Sequence, residues 1–420
     1  MKVLVSAFAC YPPTTESCTD EDKKMADGEA ILSWNLIGQI ARSHDVWVIT
    51  QARNKNGIER ALNANSVNRV TFVYCDLRGW TEWLWNNQIS NHLYYYLWQI
   101  LAYHRARRLH GFIHFDLAHH ITFANDWMPS FIGAFLPVPF IWGPIGGGHK
   151  TPKALLREFT LAQRLGDKFR LVAQWVGRNV LVSRRLCQKR AKAILVCNYE
   201  TRDKIPPHLI HKAHMFPVNS LSKENIQESR IPISKNDTFH ILSVGRLRPL
   251  KGFGLAIKAY AEFSKKYPQS IFEIIGDGIE ESRLKSLTRQ LKVDKRVIFR
   301  PWLPRNEVLR RMELCDVFLF LSFREGGGAV IVEAMAKGKP VIGLATGGPA
   351  FHIQPEWGIK IAPNTYDQVI ADVVSALERL YQERNLRLNL GRAAFQRAKN
   401  YYLLDRLGEK IETIYRNALL

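Results

Sequence analysis

Two cationic side chains follow an apolar run near the middle of the chain. In VGRLRPLKG, Arg246 and Lys251 lie five residues apart in a glycine-containing stretch. Such a pair can clamp a diphosphate, because an arginine makes a forked contact with phosphate oxygens and a lysine acts as a point charge. The stretch therefore indicates a site for a phosphorylated ligand, although two cations alone do not define one.

Two carboxylates follow in SFREGGGAVIVEAMAKGKPVIG, where Glu325 and Glu333 lie eight residues apart. The glycines at 326–328 free the backbone to approach a ligand, and the apolar run after them predicts a helix whose N-terminus faces that ligand. Eight residues are slightly over two helical turns, so both carboxylates can meet one nucleotide sugar. Alternatively, the carboxylates cap the helix or pair with Arg324 and Lys337.

The elements that must position these residues are strands and helices in alternation. Apolar runs typical of buried strands occur at 3–8, 45–50, 69–75, 116–122, 138–143 and 193–198, and again at 239–245, 270–278, 296–302, 316–322 and 339–344. Amphipathic helical patterns separate most of them. The chain is therefore predicted to be α/β, with two parallel sheets that are each flanked by helices. Arg246 and Lys251 follow the first strand of the second sheet, at the edge where ligands bind.

The length and composition support two domains. A chain of 420 residues with 46% hydrophobic and 23% charged residues can bury two cores, which excludes wholesale disorder and fibrous repeats. The stretch 216–237 is polar and has little apolar periodicity, so it is predicted to be the linker. We place an N-terminal domain at 1–218, a C-terminal domain at 219–400 and a terminal helix at 401–420.

The ordered set GRLRPLKG, IIGDG, E-x7-E, AMAKGKPVI and TGGPA resembles the retaining glycosyltransferases of family 4 (glycosyl transferases group 1). SAFACYPP, Gly28-Glu29, DLAHHIT and GPIGGG in the first half resemble a subset of that family. The resemblance implies the GT-B fold, in which two Rossmann-like domains face each other across a cleft. The N-terminal domain would bind the acceptor, the C-terminal domain would bind the nucleotide sugar, and the last helix would cross back to the N-terminal domain.

The resemblance also implies a role for each matching side chain. Arg246 and Lys251 are expected to neutralise the donor diphosphate, Glu333 to hold the ribose, and Glu325 to position the transferred sugar. The expected donor-binding residues are Gly28, Arg246, Lys251, Gly326, Gly327, Gly328 and Glu333. The expected catalytic residues are His119, His120, Glu325, Arg246 and Lys251.

His119 and His120 are adjacent residues of the predicted strand at 116–122. One of His119 and His120 is expected to contact the sugar, with a slight preference for His120. Adjacent residues of a strand point to opposite faces of the sheet, so only one of them can face the cleft. The alternative is that a lone histidine on a buried strand is a core residue with its own hydrogen-bond partners.

We therefore expect a sugar to move from a nucleotide diphosphate sugar to an acceptor hydroxyl with retention of configuration, in cell-envelope polysaccharide or glycolipid synthesis. No cofactor or metal is expected. Residues 20–22 satisfy the D-x-D pattern that binds metal in another glycosyltransferase fold, but they lie in an acidic stretch and are expected to be solvated charge. Two alternatives are a phosphorylase or sugar-phosphate synthase of the same fold, and a non-catalytic basic protein that binds membranes or nucleic acid.

The charge is strongly positive, with 59 basic and 38 acidic residues and a net charge of +21. Residues 150–192 hold twelve basic residues against two acidic ones. We expect this segment to meet an anionic membrane or a lipid-linked or glycan acceptor, with no nucleic-acid partner. A solvated helix face is the alternative. The predicted acceptor or membrane side comprises Lys150, Lys153, Arg157, Trp83 and Trp85; the two tryptophans belong to an aromatic cluster at 80–103 that can instead pack a core.

The cysteines and the N-terminal sequence indicate the cellular compartment of the protein. The six cysteines form no C-x-x-C pair, which favours a reducing compartment over a disulfide or zinc framework. The N-terminal apolar run lacks the pattern of an export signal. Prolines and glycines interrupt the longest uncharged stretch, 127–148, so it is not expected to span a membrane. We expect a cytoplasmic protein, with peripheral contact at the inner face of the plasma membrane left open.

Overall fold

The computed structural model describes residues 1–13, 22, 25, 28–64, 69–77, 88–123, 125–226 and 238–420. The chain forms two compact units. Unit 1 contains Met1–Gly148, Phe169–Val218 and Leu404–Leu420, and unit 2 contains His149–Lys168 and Asn219–Leu403. The predicted limits place 149–168 in the first domain, whereas the structure assigns this segment to unit 2, because Leu155 and Phe159 are buried in the core of that unit.

Unit 1 is built on one parallel sheet. Its strands are β1 (Lys2–Ala7), β2 (Asp45–Thr50), β3 (Val70–Tyr74), β4 (Leu117–Thr122), β5 (Phe140–Ile145), β6 (Ala191–Val196) and β7 (Ala213–Met215). Its first helices are α1 (Gly28–Ile40), α2 (Lys55–Ala64), α3 (Gln88–Ile113), α4 (Phe131–Phe135), α5 (Leu161–Asn179), whose first residues count with unit 2, α6 (Val182–Arg190) and α7 (Tyr199–Arg202). Within the described residues, the seven strands lie in the order β3-β2-β1-β4-β5-β6-β7.

Unit 2 repeats this arrangement with six parallel strands in its described residues. They are β8 (Phe239–Val244), β9 (Ser270–Ile275), β10 (Val297–Arg300), β11 (Val317–Phe320), β12 (Val341–Leu344) and β13 (Gly358–Ile361), in the order β10-β9-β8-β11-β12-β13. Its helices are α8 (Phe253–Lys266), α9 (Glu281–Gln290), α10 (Arg305–Leu314), α11 (Ala329–Ala336), α12 (Gly347–His352), α13 (Tyr366–Gln382) and α14 (Arg384–Tyr401). The direction of strand progression reverses between β8 and β11, which is where open α/β sheets bind ligands.

The prediction of two parallel sheets is confirmed. Each of the eleven predicted apolar runs overlaps an observed strand, whereas β7 and β13 were not predicted. Those two strands are three and four residues long and lie at sheet edges, so their apolar signal is short. Among the helices that the described ranges contain, none is long and apolar enough to cross a bilayer.

The last helix, α15 (Leu404–Leu419), belongs to unit 1. Its apolar stripe is strongly periodic and buries Leu407, Ile411 and Tyr415 in one core with α1. The Tyr415 hydroxyl lies 2.7 Å from Nδ1 of His119 on the central strand β4. The helix is therefore held on the sheet by apolar packing and by one buried hydrogen bond.

Replacing Tyr415 with Phe should destabilise unit 1 by about 1–3 kcal/mol, because a buried acceptor on His119 loses its donor. Hydrogen exchange followed by mass spectrometry can measure this, since it reports the opening of each unit separately. Tyr103→Phe, on α3 with its ring against Phe135, is the matched control and should have little effect. Equal losses of protection in the two variants would show that the hydrogen bond does not stabilise the unit.

Candidate functional site

Lys251 and Glu325 meet at the carboxyl edge of the unit 2 sheet. Lys251 ends a short 3₁₀ helix, Pro249–Lys251, that follows β8, and Glu325 lies in the loop that follows β11. The Lys251 ammonium donates to a Glu325 carboxylate oxygen, and both side chains keep about a fifth of their surface exposed. Because β8 and β11 flank the reversal of strand order, the ion pair lies where this fold class places its ligand.

The backbone explains why these two loops meet. Gly252 adopts φ +71°, and a Cβ atom at this position would overlap the carbonyl oxygen of Leu321. The amide of Phe323 donates to the carbonyl of Leu250 over 2.8 Å. Only glycine permits this approach, and the resulting contact brings Lys251 to Glu325 although 74 residues separate them in sequence.

The glycines at 326–328 pack against a second glycine pair. The amide of Gly348 donates to the carbonyl of Glu325 over 2.8 Å. A Cβ on Gly348 would lie 2.5 Å from the carbonyl oxygen of Gly327 and 2.7 Å from that of Gly326. Gly328, at φ +77°, then leads into α11. The start of α11 is thus fixed beside Glu325.

Glu333 projects from α11 and pairs with Arg305 at the start of α10. Both Nε and Nη2 of Arg305 lie 2.9 Å from Oε1 of Glu333. Burial raises the pKa of the Glu333 carboxyl, and the Arg305 charge opposes that rise. The alternative pairings with Arg324 and Lys337 do not occur: Arg324 pairs with Asp167 and Lys337 pairs with Glu313.

Arg246 lies in the exposed loop after β8. This loop packs closely on the loop after β9, since a Cβ on Gly276 would overlap the carbonyl oxygen of Gly245. The amide of Leu247 also donates to the carbonyl of Asp277 over 2.8 Å. The structure therefore places Arg246 on the same sheet edge as Lys251, with its side chain open to solvent.

His149 is a further residue at this edge, and no role was predicted for it from the sequence. Its ring carbon Cε1 lies 3.7 Å from the place of a Cβ on Gly326, and its own Cβ lies 3.6 Å from the place of a Cβ on Gly347. The imidazole therefore covers both glycine stretches of unit 2. Its position directly after GPIGGG was the available sequence signal.

His119 and His120 are both buried in unit 1, on opposite faces of the sheet. His119 lies between the Tyr415 hydroxyl and the carbonyl of Gly143, each 2.7 Å from a ring nitrogen. Because a carbonyl only accepts, Nε2 carries the proton and Nδ1 accepts from Tyr415. His120 lies 2.9 Å from the Tyr95 hydroxyl and 3.1 Å from Ser6 Oγ. Both rings thus have partners inside the fold, and a contact of either with a sugar stays a prediction.

The other residues of the N-terminal half that were predicted to bind the donor, the acceptor or a membrane do not form one group. Gly28 is the first residue of α1, and no atom lies within 4 Å of a Cβ built there. Lys150, Lys153 and Arg157 are exposed and belong to unit 2, not to the first domain as predicted. The Arg157 guanidinium lies 5.1 Å from the centroid of the Tyr366 ring. Trp83 and Trp85 lie outside the described residues.

Two further expectations concern the aromatic cluster and the acidic stretch. Tyr94, Tyr95 and Trp98 are buried in the core of unit 1, so these members of the cluster pack the interior. Asp22 is also buried, and it accepts from the Tyr11 hydroxyl and pairs with Arg60. The expectation of solvated charge is therefore wrong for Asp22, because these two donors compensate for its burial. Residues 20 and 21 lie outside the described ranges.

Comparison with solved structures establishes the fold. The Anabaena protein HepE, solved in complex with UDP, matches with a TM-score of 0.61 over 99% of this chain and 100% of that chain, at 16% sequence identity. Together with the two parallel Rossmann-like sheets, this match confirms the predicted GT-B fold.

Comparison of sequences shows a family match within the second half of the chain. Residues 224–397 match the family model of glycosyl transferases group 1. An uncharacterized glycosyltransferase of Haemophilus influenzae is 35% identical over 142 residues, which are 34% of this chain and 37% of that protein. The α-monoglucosyldiacylglycerol synthase of Acholeplasma laidlawii is 34% identical over 128 residues, 30% of this chain and 32% of that protein. The chain thus spans about a third of the length of these curated relatives.

Acid should destabilise the protein between pH 6.5 and about 3. Burial lowers the pKa of His119 to about 4 and that of His120 to about 3. Their neutral forms stabilise the fold fully above pH 6.5, and this contribution is lost as the pH falls, since the unfolded chain takes up the protons first. The melting temperature of His120→Gln should therefore vary less over this range than that of the exposed-site control His104→Gln. If the melting temperatures of the two variants depend on pH to the same extent, protonation of His120 is not a cause of the acid destabilisation.

Replacing Gly348 with Ala should force the two glycine stretches of unit 2 apart and destabilise the unit by about 1–3 kcal/mol. The reason is that the new methyl group would meet two backbone carbonyl oxygens, which cannot turn away as a side chain would. Gly111→Ala on α3 is the control, because nothing lies within 4 Å of a Cβ there and alanine is the better helix former. A melting temperature of Gly348→Ala at or above that of Gly111→Ala would refute the packing argument.

Proposed function

We propose that the protein is a retaining glycosyltransferase of family 4 that transfers a sugar from a nucleotide diphosphate sugar to an acceptor hydroxyl. The observation that carries the proposal is the meeting of Lys251 and Glu325 at the switch point of the unit 2 sheet, beside the glycine-bounded start of α11. The family match over residues 224–397 supports the same activity. The UDP complex of HepE makes a uridine nucleotide the first donor to test.

The donor diphosphate would bind at the loop after β8. Lys251 and Arg246 supply two positive charges there, and the amides at the start of α11 supply further donors. Without ligand, the Lys251 ammonium is paired with Glu325. In the complex it would turn to the phosphate oxygens, and the Glu325 carboxylate would then accept hydrogen bonds from hydroxyl groups of the transferred sugar.

The ribose would bind at Glu333. A carboxylate can accept from both hydroxyls of the ribose diol, and Arg305 fixes its orientation through two contacts on the same oxygen. The second carboxylate oxygen would then accept from the ribose hydroxyls. Because Arg305 also opposes the rise in the pKa of Glu333, it would help to keep this group ionised and able to accept.

Transfer would break the bond between the anomeric carbon and the phosphate oxygen and form a bond from the same carbon to the acceptor oxygen, on the same face of the sugar. The acceptor proton would pass to the departing phosphate oxygen. Lys251 and Arg246 would stabilise the negative charge that develops on the leaving diphosphate, so the proposal requires no metal ion. His149, whose ring lies beside Gly326, would be close to the departing phosphate oxygen in this arrangement.

The acceptor would be a glycan or a lipid-linked molecule of the cell envelope. Support comes from the similarity to the α-monoglucosyldiacylglycerol synthase of Acholeplasma and from the positive charge of residues 150–192. Peripheral contact with an anionic membrane at its cytoplasmic side belongs to the proposal. Nucleic acid does not, because the cationic site in unit 2 is a small loop cluster beside paired carboxylates.

A thermal-shift comparison of UDP, GDP and ADP tests the donor site. One of the three should raise the melting temperature of the wild-type protein, because a ligand that binds only the folded state stabilises it by mass action. Lys251→Ala and Glu333→Ala should abolish most of the shift. Lys265→Ala, which removes an exposed ion pair on α8, is the matched control and should keep the full shift.

Two results would contradict the proposal. One is the absence of a shift with every nucleotide and its common sugar conjugates. The other is a shift in Lys251→Ala as large as that in Lys265→Ala. If a donor binds, the product identifies the reaction, because a transferase releases the nucleoside diphosphate whereas a phosphorylase releases a sugar phosphate.

A further inference from the structure

Helix α5 presents a continuous apolar stripe to solvent. Its members are spaced at helical intervals and are between 41% and 74% exposed. They are Leu161, Leu165, Phe169, Val172, Trp175 and Val176. At 100° per residue these six side chains fall within about a third of the helix circumference. A row of large apolar side chains of this extent is unusual on a surface that meets only water.

The opposite side of α5 is fixed inside the fold. Arg178 makes two contacts with the buried carboxylate of Asp126, at 2.6 and 2.8 Å. A Cβ on Gly177 would lie 2.5 Å from the carbonyl oxygen of Trp127, so the backbone of α5 is in direct contact there. Gln174 and Asp167 are buried on the same side. These contacts set the rotation of the helix, so the apolar stripe faces outward as a consequence of the packing.

The surroundings of the stripe are almost uniformly cationic. Residues 161–192 contain nine basic residues and one acidic residue, Asp167, which is buried and paired with Arg324. Arg164 and Lys168 are exposed along one edge of the stripe. Beyond the end of α5, Val180 and Val182 are 58% and 65% exposed, and they continue the apolar surface towards the basic helix α6.

We propose that the apolar stripe of α5 docks on the surface of an anionic lipid bilayer. The apolar side chains would enter the boundary between headgroups and acyl chains. Arg164, Lys168 and the exposed cations of α6, which include Arg185 and Lys189, would lie at the lipid phosphates. This inference rests on the membrane contact named in the proposed function and locates it within the basic segment 150–192, on α5 and α6 rather than at Lys150, Lys153 and Arg157. Docking itself requires neither donor binding nor transfer.

The charges distinguish the bilayer from other occupants. A second copy of the chain would bring the same cations against the stripe, and like charges at close range oppose that association. A nucleic acid would pair with the cations and stack its bases on the aromatic rings, but it offers no aliphatic surface to cover Leu161, Leu165 and Val172. An anionic bilayer satisfies both features at once.

Sedimentation of the full chain with vesicles tests the proposal. The wild-type protein should bind vesicles of phosphatidylcholine mixed with phosphatidylglycerol and bind pure phosphatidylcholine more weakly. The double variant Leu165→Gln/Phe169→Gln should bind the mixed vesicles about tenfold less or weaker still, because it removes two apolar side chains from the stripe. Arg164→Gln/Lys168→Gln should lose most of the preference for the anionic lipid. The control Phe112→Gln, at a position of α3 that is 86% exposed, should bind like the wild type.

Three results would overturn the docking surface. The first is no binding of the wild-type protein to anionic vesicles. The second is equal binding by Leu165→Gln/Phe169→Gln and Phe112→Gln. The third is a wild-type dimer in light scattering that the stripe variant converts to a monomer, which would assign the stripe to a second copy. The nucleotide-induced melting shift of the same variants separates the two proposals, since it should be unchanged when docking alone is lost.

Discussion

The pairing of β8 with β11 is the constraint on which the candidate site depends. These strands are far apart in sequence, yet Val317 pairs with Ile241 and Phe318 with Leu242, so the loops that follow them leave the sheet side by side. The close approach of Gly252 to the carbonyl of Leu321 then fixes the distance between the two loops. The contact of Lys251 with Glu325 and the placement of the α11 N-terminus follow from this one alignment of backbones. The chemistry of unit 2 is thus set by glycines at least as much as by the charged residues themselves.

In unit 1 the equivalent central strand has a different role. His119 and His120 occupy β4 next to β1, yet each imidazole is held by groups of the interior, one on the α15 side and one on the α3 side. Histidines are unusual at such positions, because burial holds their pKa values far below the ordinary range. Their hydrogen bonds compensate for that burial and give the sheet a specific partner on each face. The same strand arrangement therefore supports a charged loop edge in unit 2 and a neutral, hydrogen-bonded core in unit 1.

Much of the fold could be predicted from the sequence, because apolar runs of strand length alternate with amphipathic helical patterns along the chain. β7, with the sequence AHM, and β13, with GIKI, escaped prediction because edge strands this short depend on a neighbouring strand for their register. The ion pairs show the same limit. The sequence suggested nearby partners for the two carboxylates, whereas the structure pairs Glu325 with Lys251 and Glu333 with Arg305, which lie 74 and 28 residues away. The assignment of 149–168 to unit 2 likewise follows from the burial of Leu155 and Phe159, a contact between distant segments that no local pattern encodes.

The position of α15 has a consequence for how the chain is made. His119 receives its hydrogen bond from Tyr415, 296 residues later in the sequence, and residues 219–403 of unit 2 are synthesised in between. Domains usually fold in the order in which they leave the ribosome. Here unit 2 has its whole sequence before unit 1 does, so the side chains of Leu407, Ile411 and Tyr415 are the last to reach their core. Until residues 404–419 emerge, this face of the sheet has α1 but not α15 packed on it, and His119 lacks the hydroxyl donor of Tyr415.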